Sequence, residues 1–438
     1  MNPLTGLFHM RRNRASHAPG QSPVYRGRHS LAVAAATLLA LAVIVFTPTV
    51  MARDGRSEGA WVATWSASPQ PAGAPLQISG QTIRQIVHTS LGGRRVRVRL
   101  SNAYGQSPLI IRSAHLAVSD NGPAIVAASD RTLTFNGSAT IAIPAGALVV
   151  SDPVALDVPT SGDLAISLYL PEAVTATTEH TVSLQTTYIS GPGNFAGATT
   201  VGGSTTQSYY FLASVEVGRS HGAGAIVTLG DSVTDGFGST PDTNRRWPNL
   251  LADRLQANPG TARLAVLNAG VSGNRVLHDF VGTSALARLD RDVLVQTGAK
   301  YLIVLQGNAD ILIPGLIGNP AEDVTVEQIV QGHRQIIDRA HALGLKVYGG
   351  TLNPVEGYPF PGYWSAALEA KRQAVNRWIR TSRAYDAVID FDRVLHDPSQ
   401  PSRLLAAYDS GDHVHPNDVG SLAMADAVDL ALFRDDDD

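Results

Sequence analysis

The sequence predicts an α/β domain with a parallel sheet, preceded by an all-β domain of the sandwich or jelly-roll type. Short strand patterns separated by turn residues fill residues 60–217, whereas apolar strand patterns alternate with helical patterns over residues 222–434. The chain has 438 residues, of which 44% are hydrophobic and 16% are charged. Such a length and composition are typical of a globular protein with two or three structural units.

The first 52 residues have the features of an export signal. Five arginines precede an apolar stretch at residues 31–46, and Val50-Met51-Ala52 places small residues where a signal peptidase cleaves. We therefore expect a secreted protein, cleaved after Ala52, that meets the membrane only through this signal. An uncleaved membrane anchor is the alternative, although the apolar stretch is short for a hydrocarbon core of about 30 Å.

Composition excludes several classes of function. The net charge is −3, and no dense cluster of Lys and Arg follows the first 30 residues, so we expect no nucleic-acid partner. The chain contains no cysteine, which excludes disulfides, a thiolate nucleophile and cysteine-ligated zinc.

Alternating residues predict the strands of the all-β domain. At residues 95–100 the arginines are expected to face solvent, while Val96, Val98 and Leu100 face a core. This domain is either a structural platform for the second domain or a module that binds carbohydrate or polymer. Further strands are predicted at residues 109–118, 132–135, 140–143, 165–170 and 181–189.

The second domain alternates strands with helices, which predicts right-handed crossovers and a parallel sheet covered on both faces. Ligands bind such sheets beyond the carboxyl ends of the strands. Strands are predicted at residues 225–229, 263–267, 301–305, 346–350 and 387–391, and helices at 246–256, 284–295, 326–343, 365–382 and 417–433.

Ser232 follows the first of these strands directly, in Gly230-Asp231-Ser232. A glycine after a buried strand permits a sharp turn, from which the serine can project its hydroxyl at the sheet edge. A serine hydroxyl becomes a nucleophile only when a neighbouring base takes its proton. Thr234 stands where the G-x-S-x-G motif needs its second glycine, so the pattern disfavours the α/β-hydrolase elbow.

The candidate base lies near the C-terminus, in Asp412-His413-Val414-His415-Pro416. The imidazole of His415 can take the serine proton, and Asp412, three residues earlier, can fold back and orient the ring. The alternatives are a solvated loop that caps the last helix, and a metal site formed by Asp412, His413 and His415. We expect neither a metal nor a cofactor.

These motifs resemble those of the SGNH/GDSL hydrolases. Gly230-Asp231-Ser232 is similar to their first block, the segment 267–275 to their second, and Asp412, His415 and Pro416 to their last. The resemblance covers about residues 224–433 and implies a flavodoxin-like sheet. It further implies that the backbone N–H groups of Ser232 and Gly273 bind the oxyanion. The preceding segment, residues 61–65, resembles a subset of exported relatives that carry an N-terminal β-rich domain.

The third block departs from the family pattern G-x-N-D. Here it reads Gly307-Asn308-Ala309-Asp310, with alanine where the family has its oxyanion-binding asparagine. We expect Asn308 to take over this role if a bulge shifts the strand end by one residue. Reduced activity is the alternative, because loss of one oxyanion donor typically lowers kcat about 100- to 1,000-fold.

The resemblance implies an esterase that transfers an acyl group to water through Ser232, without a cofactor. Its substrate is an ester, either a small molecule or a group carried on a polymer. Asp231 and Asp235 flank the serine, but turn formation explains them better than a glycosidase mechanism does. A binding protein that keeps the fold without catalysis is the competing function. The aromatic residues of the segment 353–364 line a substrate pocket or form a surface lid.

Overall fold

The computed structural model describes residues 60–219 and 222–434. The predicted export signal, residues 1–52, lies outside these ranges, so its cleavage remains a prediction. The described residues belong to one compact unit. Within them, no helix combines the length and the apolar composition needed to cross a membrane.

Residues 60–219 form antiparallel sheets. One sheet has the order β1-β16-β4-β10, with β9 also paired to β4, and a second has the order β14-β13-β3-β11-β6-β7. Apolar side chains from both sheets build one core. The strands are β1 Trp61–Ser66, β2 Gln70–Ile78, β3 Gln81–Thr89, β4 Gly93–Ser101, β5 Leu109–Ile111, β6 Ser113–Val118, β7 Arg131–Leu133, β8 Ile141–Ile143, β9 Leu148–Val150, β10 Val154–Val158, β11 Gly162–Leu170, β12 Val174–His180, β13 Thr187–Pro192, β14 Gly203–Thr206, β15 Tyr209–Tyr210 and β16 Leu212–Gly218.

On strand β4 the predicted burial of the apolar side chains is confirmed, whereas the predicted exposure of the arginines is corrected. Val96, Val98 and Leu100 are fully buried, as predicted. The arginines do not face open solvent, however, because Arg97 and Arg99 each lie 2.5 Å from a carboxylate oxygen of the buried Glu216 on β16. Two cations neutralise this buried carboxylate, which explains why the alternate positions carry charge.

Two predicted strands of this region are wrong. The pattern at residues 109–118 is divided between β5 and β6, which lie in different sheets. The pattern at residues 181–189 predicts a single strand, whereas β12 ends at His180 and β13 begins at Thr187. The chain leaves the sheet after His180, whose ring is held by the backbone carbonyl of Ser68 and the carboxylate of Asp235. These long-range contacts override the local strand pattern.

Residues 222–434 contain the predicted parallel sheet, in the order β18-β17-β19-β20-β21. The second strand along the chain therefore forms one edge and the first lies beside it, which is the flavodoxin-like order. Its strands are β17 Gly224–Gly230, β18 Leu264–Gly270, β19 Ala299–Leu305, β20 Lys346–Gly350 and β21 Ala387–Ile389, followed by a hairpin of β22 His396–Asp397 and β23 Gln400–Leu404.

The structure contains the five predicted helices, some with different bounds, and three short helices that were not predicted. The helices are α1 Ser232–Asp235, α2 Trp247–Ala257, α3 Ala285–Leu289, α4 Asn308–Leu316, α5 Val326–His341, α6 Ala366–Thr381, α7 Phe391–Leu395 and α8 Asp418–Ala427. A π-helical turn, Asp290–Leu294, continues α3, and the last predicted helix stops at Ala427 before a separate 3₁₀ turn. Helix α4 was not predicted, because Pro314 interrupts its helical pattern.

The β-rich region covers the edge strand β18 of the parallel sheet. The hydroxyl of Ser90 accepts a hydrogen bond from Val266 N at 3.0 Å and donates one to Val266 O at 3.2 Å. Ser66 Oγ donates to Asn268 O on the same strand at 3.3 Å. An open strand edge presents unpaired backbone groups, and here side chains of the first region satisfy some of them.

Candidate active site

Ser232 lies at the turn between the central strand β17 and helix α1. A Cβ on Gly230, the last residue of β17, would lie 2.1 Å from Thr234 Oγ1, so only glycine fits at this turn. Asp231 caps the helix, since its Oδ1 accepts a hydrogen bond from Val233 N at 3.1 Å. Ser232 is the first helical residue, which directs its side chain beyond the carboxyl edge of the sheet.

The structure brings together the three residues predicted to relay a proton. His415 Nε2 lies 2.7 Å from Ser232 Oγ, and His415 Nδ1 lies 2.5 Å from Asp412 Oδ2. The other oxygen of Asp412 accepts the backbone N–H groups of Val414 and His415 at 2.9 and 2.8 Å. The carboxylate therefore fixes both the turn and the ring, and it leaves Nε2 as the acceptor for the serine proton.

The charge of Asp412 is maintained by its neighbours. Burial alone would raise its pKa, but the hydrogen bond and the positive charge of His415, together with two backbone N–H groups, hold the pKa well below its usual range. An ionised Asp412 stabilises the imidazolium that forms when His415 accepts a proton. The ring of Phe237 packs on the imidazole with a centroid distance of 4.6 Å, which limits its rotation.

His413 takes no part in this arrangement. Its side chain is half exposed, and its Nδ1 lies 2.6 Å from Asp409 Oδ2. Within residues 60–219 and 222–434, no group of three or more His, Cys, Asp or Glu side chains is arranged to hold a metal ion. His415 thus faces the serine, while His413 faces a separate carboxylate.

The backbone N–H groups of Ser232 and Gly273 were predicted to bind the oxyanion. In the described part of the chain, no group accepts a hydrogen bond from the backbone N–H of Ser232 or of Gly273. Gly273 has a φ angle of +73°, and a Cβ there would lie 2.9 Å from Val281 Cγ2, so its backbone conformation and its surroundings both require glycine. Its neighbour Ser272 is anchored, because Ser272 N donates to Asp235 Oδ2 at 2.8 Å.

From the sequence, Asn308 is expected to lie on a bulged strand end. In the structure it is instead the first residue of α4. Gly307, with a φ angle of +131°, turns the chain from β19 into this helix. The side-chain Nδ2 of Asn308 donates to Asn353 O at 3.1 Å and to Asn353 Oδ1 at 3.0 Å. Two oxygens of Asn353 therefore already accept from this nitrogen, and an oxyanion would compete with them for its hydrogens.

Asn353 connects Asn308 to the histidine loop. Its Nδ2 donates to Val414 O at 3.0 Å, one residue before His415. The first residue of α4 is thus linked through one side chain to the loop that carries the candidate base. Ala309 is buried in the same turn of α4, and Asp310 accepts the backbone N–H groups of Val276 and Leu277.

Exposed apolar side chains surround these groups. Phe237 beside His415 is 44% exposed, and Phe280 and Val281 beside Gly273 are 44% and 38% exposed. In the segment 353–364, Phe360 is exposed and its ring lies 5.1 Å from that of Tyr358. The surface around Ser232 therefore offers apolar contacts on several sides.

Sequence reasoning missed two buried side chains next to the site. Arg288 donates to the strand-end carbonyls Gly230 O and Ala269 O, at 3.2 and 2.8 Å, and also to Ser68 Oγ. His180 contacts Asp235, which lies in α1 with Ser232. Neither residue belongs to a local motif, and their roles follow only from contacts between distant parts of the chain.

Comparisons with known proteins give one family match and several similar solved structures. Residues 228–423 match the model of the GDSL-like lipase/acylhydrolase family. No curated protein sequence matches the chain. Three similar solved structures are the M. smegmatis aryl esterase (17% identity, 47% of this chain, 96% of that chain, TM-score 0.38), an acetyl xylan esterase (18%, 46%, 96%, 0.36) and a carbohydrate acetylesterase from Sinorhizobium meliloti (14%, 47%, 95%, 0.35).

Proposed function

We propose that this chain, whose residues 228–423 match the model of the GDSL-like lipase/acylhydrolase family, is a serine esterase that forms an acyl-enzyme on Ser232. The observation that carries the proposal is the continuous contact from Ser232 Oγ to His415 Nε2 and from His415 Nδ1 to Asp412. A serine, an imidazole and a carboxylate in this order form the relay that activates a hydroxyl group for attack on an acyl group.

The first half of the reaction forms the acyl-enzyme. Ser232 Oγ attacks the ester carbonyl carbon while His415 Nε2 takes the hydroxyl proton. The carbonyl oxygen becomes negative and accepts hydrogen bonds from the backbone N–H groups of Ser232 and Gly273. Collapse of the tetrahedral intermediate breaks the bond to the alcohol oxygen, which leaves with the proton that His415 returns.

The second half releases the acid. A water molecule gives a proton to His415 and attacks the acyl carbon, and the same two N–H groups bind the oxyanion again. The intermediate then expels Ser232 Oγ, which recovers its proton from the imidazolium. Asp412 keeps Nδ1 protonated throughout and stabilises the charged ring in both halves.

The apolar surroundings of Ser232 favour esters with an apolar acyl or alcohol group. Phe237, Phe280 and Val281 are exposed next to the groups assigned to the proton relay and to the oxyanion. Burying apolar substrate surface against such side chains contributes roughly 25 cal/mol per Å². We therefore expect aryl and medium-chain esters to react with a lower KM than acetyl esters of sugars.

Hydrolysis of p-nitrophenyl esters of increasing acyl length tests both parts of this proposal. The purified chain without residues 1–52 should hydrolyse these esters, and KM should fall from the acetyl ester to the medium-chain esters. Absence of hydrolysis at every chain length would favour the competing function, a binding protein that keeps the fold. A lower KM for acetylated sugars would contradict the substrate class alone.

We also propose that the chain is exported. The five arginines, the apolar stretch at residues 31–46 and the small residues before Arg53 support this proposal. Mass spectrometry of the protein from the culture medium should give an N-terminus near Arg53. An intact N-terminus in the membrane fraction would support the uncleaved anchor instead.

A further inference from the structure

His180 is a buried histidine of the β-rich region whose contacts reach the candidate active site. It is the last residue of β12 and is 6% exposed. Its Nδ1 lies 3.0 Å from Ser68 O, and its Nε2 lies 2.9 Å from Asp235 Oδ1. The ring of Tyr209 stacks on the imidazole with a centroid distance of 6.3 Å, so the ring is held on its face as well as at both nitrogens.

The two acceptors determine the protonation state of this ring. A carbonyl oxygen and a carboxylate oxygen only accept hydrogen bonds, so both ring nitrogens must carry a proton. Burial disfavours the charged ring, but the charge and the hydrogen bond of Asp235 outweigh this effect and raise the pKa of His180 above its ordinary value. His180 and Asp235 therefore form a buried ion pair that joins the two regions.

Asp235 passes this contact on to the loop that carries Gly273. Its second oxygen, Oδ2, accepts Ser272 N at 2.8 Å and Ser272 Oγ at 2.7 Å. Its own backbone N–H donates to Asp231 O within the turn that contains Ser232. The carboxylate of Asp235 thus fixes Ser272, the residue before Gly273, relative to the helix that begins at Ser232.

We propose that His180 is a positioning residue for the oxyanion-binding groups and acts through Asp235 on Ser272 and Gly273. This inference rests on the proposed esterase function. Without His180, Asp235 would be a carboxylate of 2% exposure that has lost a charged hydrogen-bond partner. A buried carboxylate without that partner would move from its present position, which weakens its hold on Ser272.

Other charges near Asp235 do not replace this contact. Arg288 is fully buried nearby, but its guanidinium donates to Gly230 O, Ala269 O and Ser68 Oγ. Arg246 lies on the other side and donates to Ser183 O. The direct hydrogen bond to Asp235 Oδ1 comes from His180, on a different region of the chain.

Two matched substitutions separate the contacts of His180. In His180→Gln the amide nitrogen can occupy the place of Nε2 and donate to Asp235, whereas in His180→Asn it can occupy the place of Nδ1 and donate to Ser68. We expect His180→Gln to keep kcat within about threefold and His180→Asn to lower it roughly 10- to 100-fold, because a small displacement of oxyanion donors is costly. KM should change by less than about threefold in both, since the affected interaction forms in the transition state.

Amide hydrogen exchange provides a readout that does not depend on activity. The peptide containing Ser272 and Gly273 should lose protection in His180→Asn and keep it in His180→Gln. If His180→Asn does not fold, His180→Ala replaces it, because it also lacks the bond to Asp235. A wild-type chain without esterase activity would refute the proposed function, and the exchange data would still decide the positioning role.

A double-mutant cycle tests whether His180 acts through Asp235. The combination of His180→Asn and Asp235→Ala should lower kcat no further than Asp235→Ala alone, since both changes interrupt one path. Equal kcat and equal exchange in His180→Gln and His180→Asn would overturn the inference. Multiplicative losses in the double variant would also overturn it, because His180 would then act independently of Asp235.

Discussion

The two regions of this protein differ in what they contribute to the candidate active site. The α/β region carries the groups proposed to take part in the reaction, at the carboxyl ends of β17 and β18 and on the loop before α8: Ser232, Gly273, Asp412 and His415. The β-rich region contributes none of these, but its Ser90 pairs with the edge strand β18 and its His180 pairs with Asp235. Chemistry and support therefore come from different parts of one fold.

This difference has a physical origin. A nucleophile and its base need defined neighbours along the chain, because turns and helix ends aim their atoms. A supporting contact needs only a side chain of the right chemistry at the right place in space. The predictions below ask whether substitutions in the two regions separate into effects on chemistry and effects on stability.

The largest effect should come from the α/β region. Ser232→Ala and His415→Ala should each lower kcat at least about 10⁴-fold, because each removes the nucleophile or its base. Asp412→Asn should cost about one to two orders of magnitude less, since the imidazole remains. Steady-state hydrolysis of a p-nitrophenyl ester measures all three.

The matched control for this prediction is His413→Ala. His413 is half exposed and pairs with Asp409, so its removal should leave kcat within about twofold. A loss from His413→Ala comparable to that expected of His415→Ala, with His415→Ala active, would show that the base has been wrongly assigned.

A smaller effect on kcat is expected at Asn308. Its amide binds Asn353, which in turn binds Val414 O, so Asn308→Ala should disturb the position of the histidine loop. We expect a decrease in kcat of roughly 10-fold, below the 100- to 1,000-fold typical of a lost oxyanion donor. Asn353→Ala should give a similar decrease.

Kinetics of Asn308→Ala and Asn353→Ala also test the expectation from the sequence that Asn308 binds the oxyanion. A decrease of 100-fold or more from Asn308→Ala, with little change from Asn353→Ala, would identify Asn308 as an oxyanion donor after all. In that case the Asn308 amide must release Asn353 when the substrate binds.

In the β-rich region, Ser90→Ala should change stability without changing chemistry. The substitution leaves the buried N–H of Val266 on β18 without its partner, which costs about 1–3 kcal/mol in the free energy of unfolding. Urea unfolding measures this loss, and kcat at 25 °C should stay at the wild-type value. A large decrease in kcat in a folded Ser90→Ala variant would contradict the separation of the two regions.

The smallest expected effect is the change in folding stability with pH that arises from the ion pair of His180 and Asp235. Because its pKa is raised in the folded chain, the pair stabilises the fold fully below the ordinary pKa of histidine, about 6.5, and this stabilisation is lost as pH rises through the folded-state value. The charged groups facing His180 are Asp235 and Arg246, and Glu179 precedes it.

Unfolding experiments on the wild type and His180→Gln between pH 6 and 10 detect this dependence. The stability advantage of the wild type should shrink as the pH increases. An advantage that grows with pH would mean that the ring is neutral in the folded state. His333 provides an internal contrast, since burial lowers its pKa to about 4 and its effect appears only on acidification below about 6.5.

The sequence predicted the parallel sheet because buried strands and amphipathic helices carry local patterns, and the resemblance to the SGNH/GDSL hydrolases implied its flavodoxin-like order. It also predicted the residues that the structure places together at Ser232, His415 and Asp412, since each belongs to a short motif. It placed Asn308 incorrectly on a strand, because the turn at Gly307 depends on a backbone conformation that no periodic pattern reveals.

The contacts between the regions could not be predicted. His180 lies 55 positions before Asp235, and it belongs to no short motif. The ion pairs of the β4 arginines could not be predicted for the same reason, because their partner Glu216 lies on a strand that is distant in sequence. Alternation predicted which side chains share a face, but not what covers that face.

The central claim is that Ser232 is the nucleophile, and a fluorophosphonate probe tests it most directly. The oxygen of an activated serine displaces fluoride from the probe's phosphorus, and the phosphonate ester remains attached, so peptide mass spectrometry identifies the modified residue. We expect one adduct per chain, on Ser232, with the label lost in Ser232→Ala and its formation slowed strongly in His415→Ala. An esterase-active wild-type chain that carries no label, or carries it on another residue, would contradict the account.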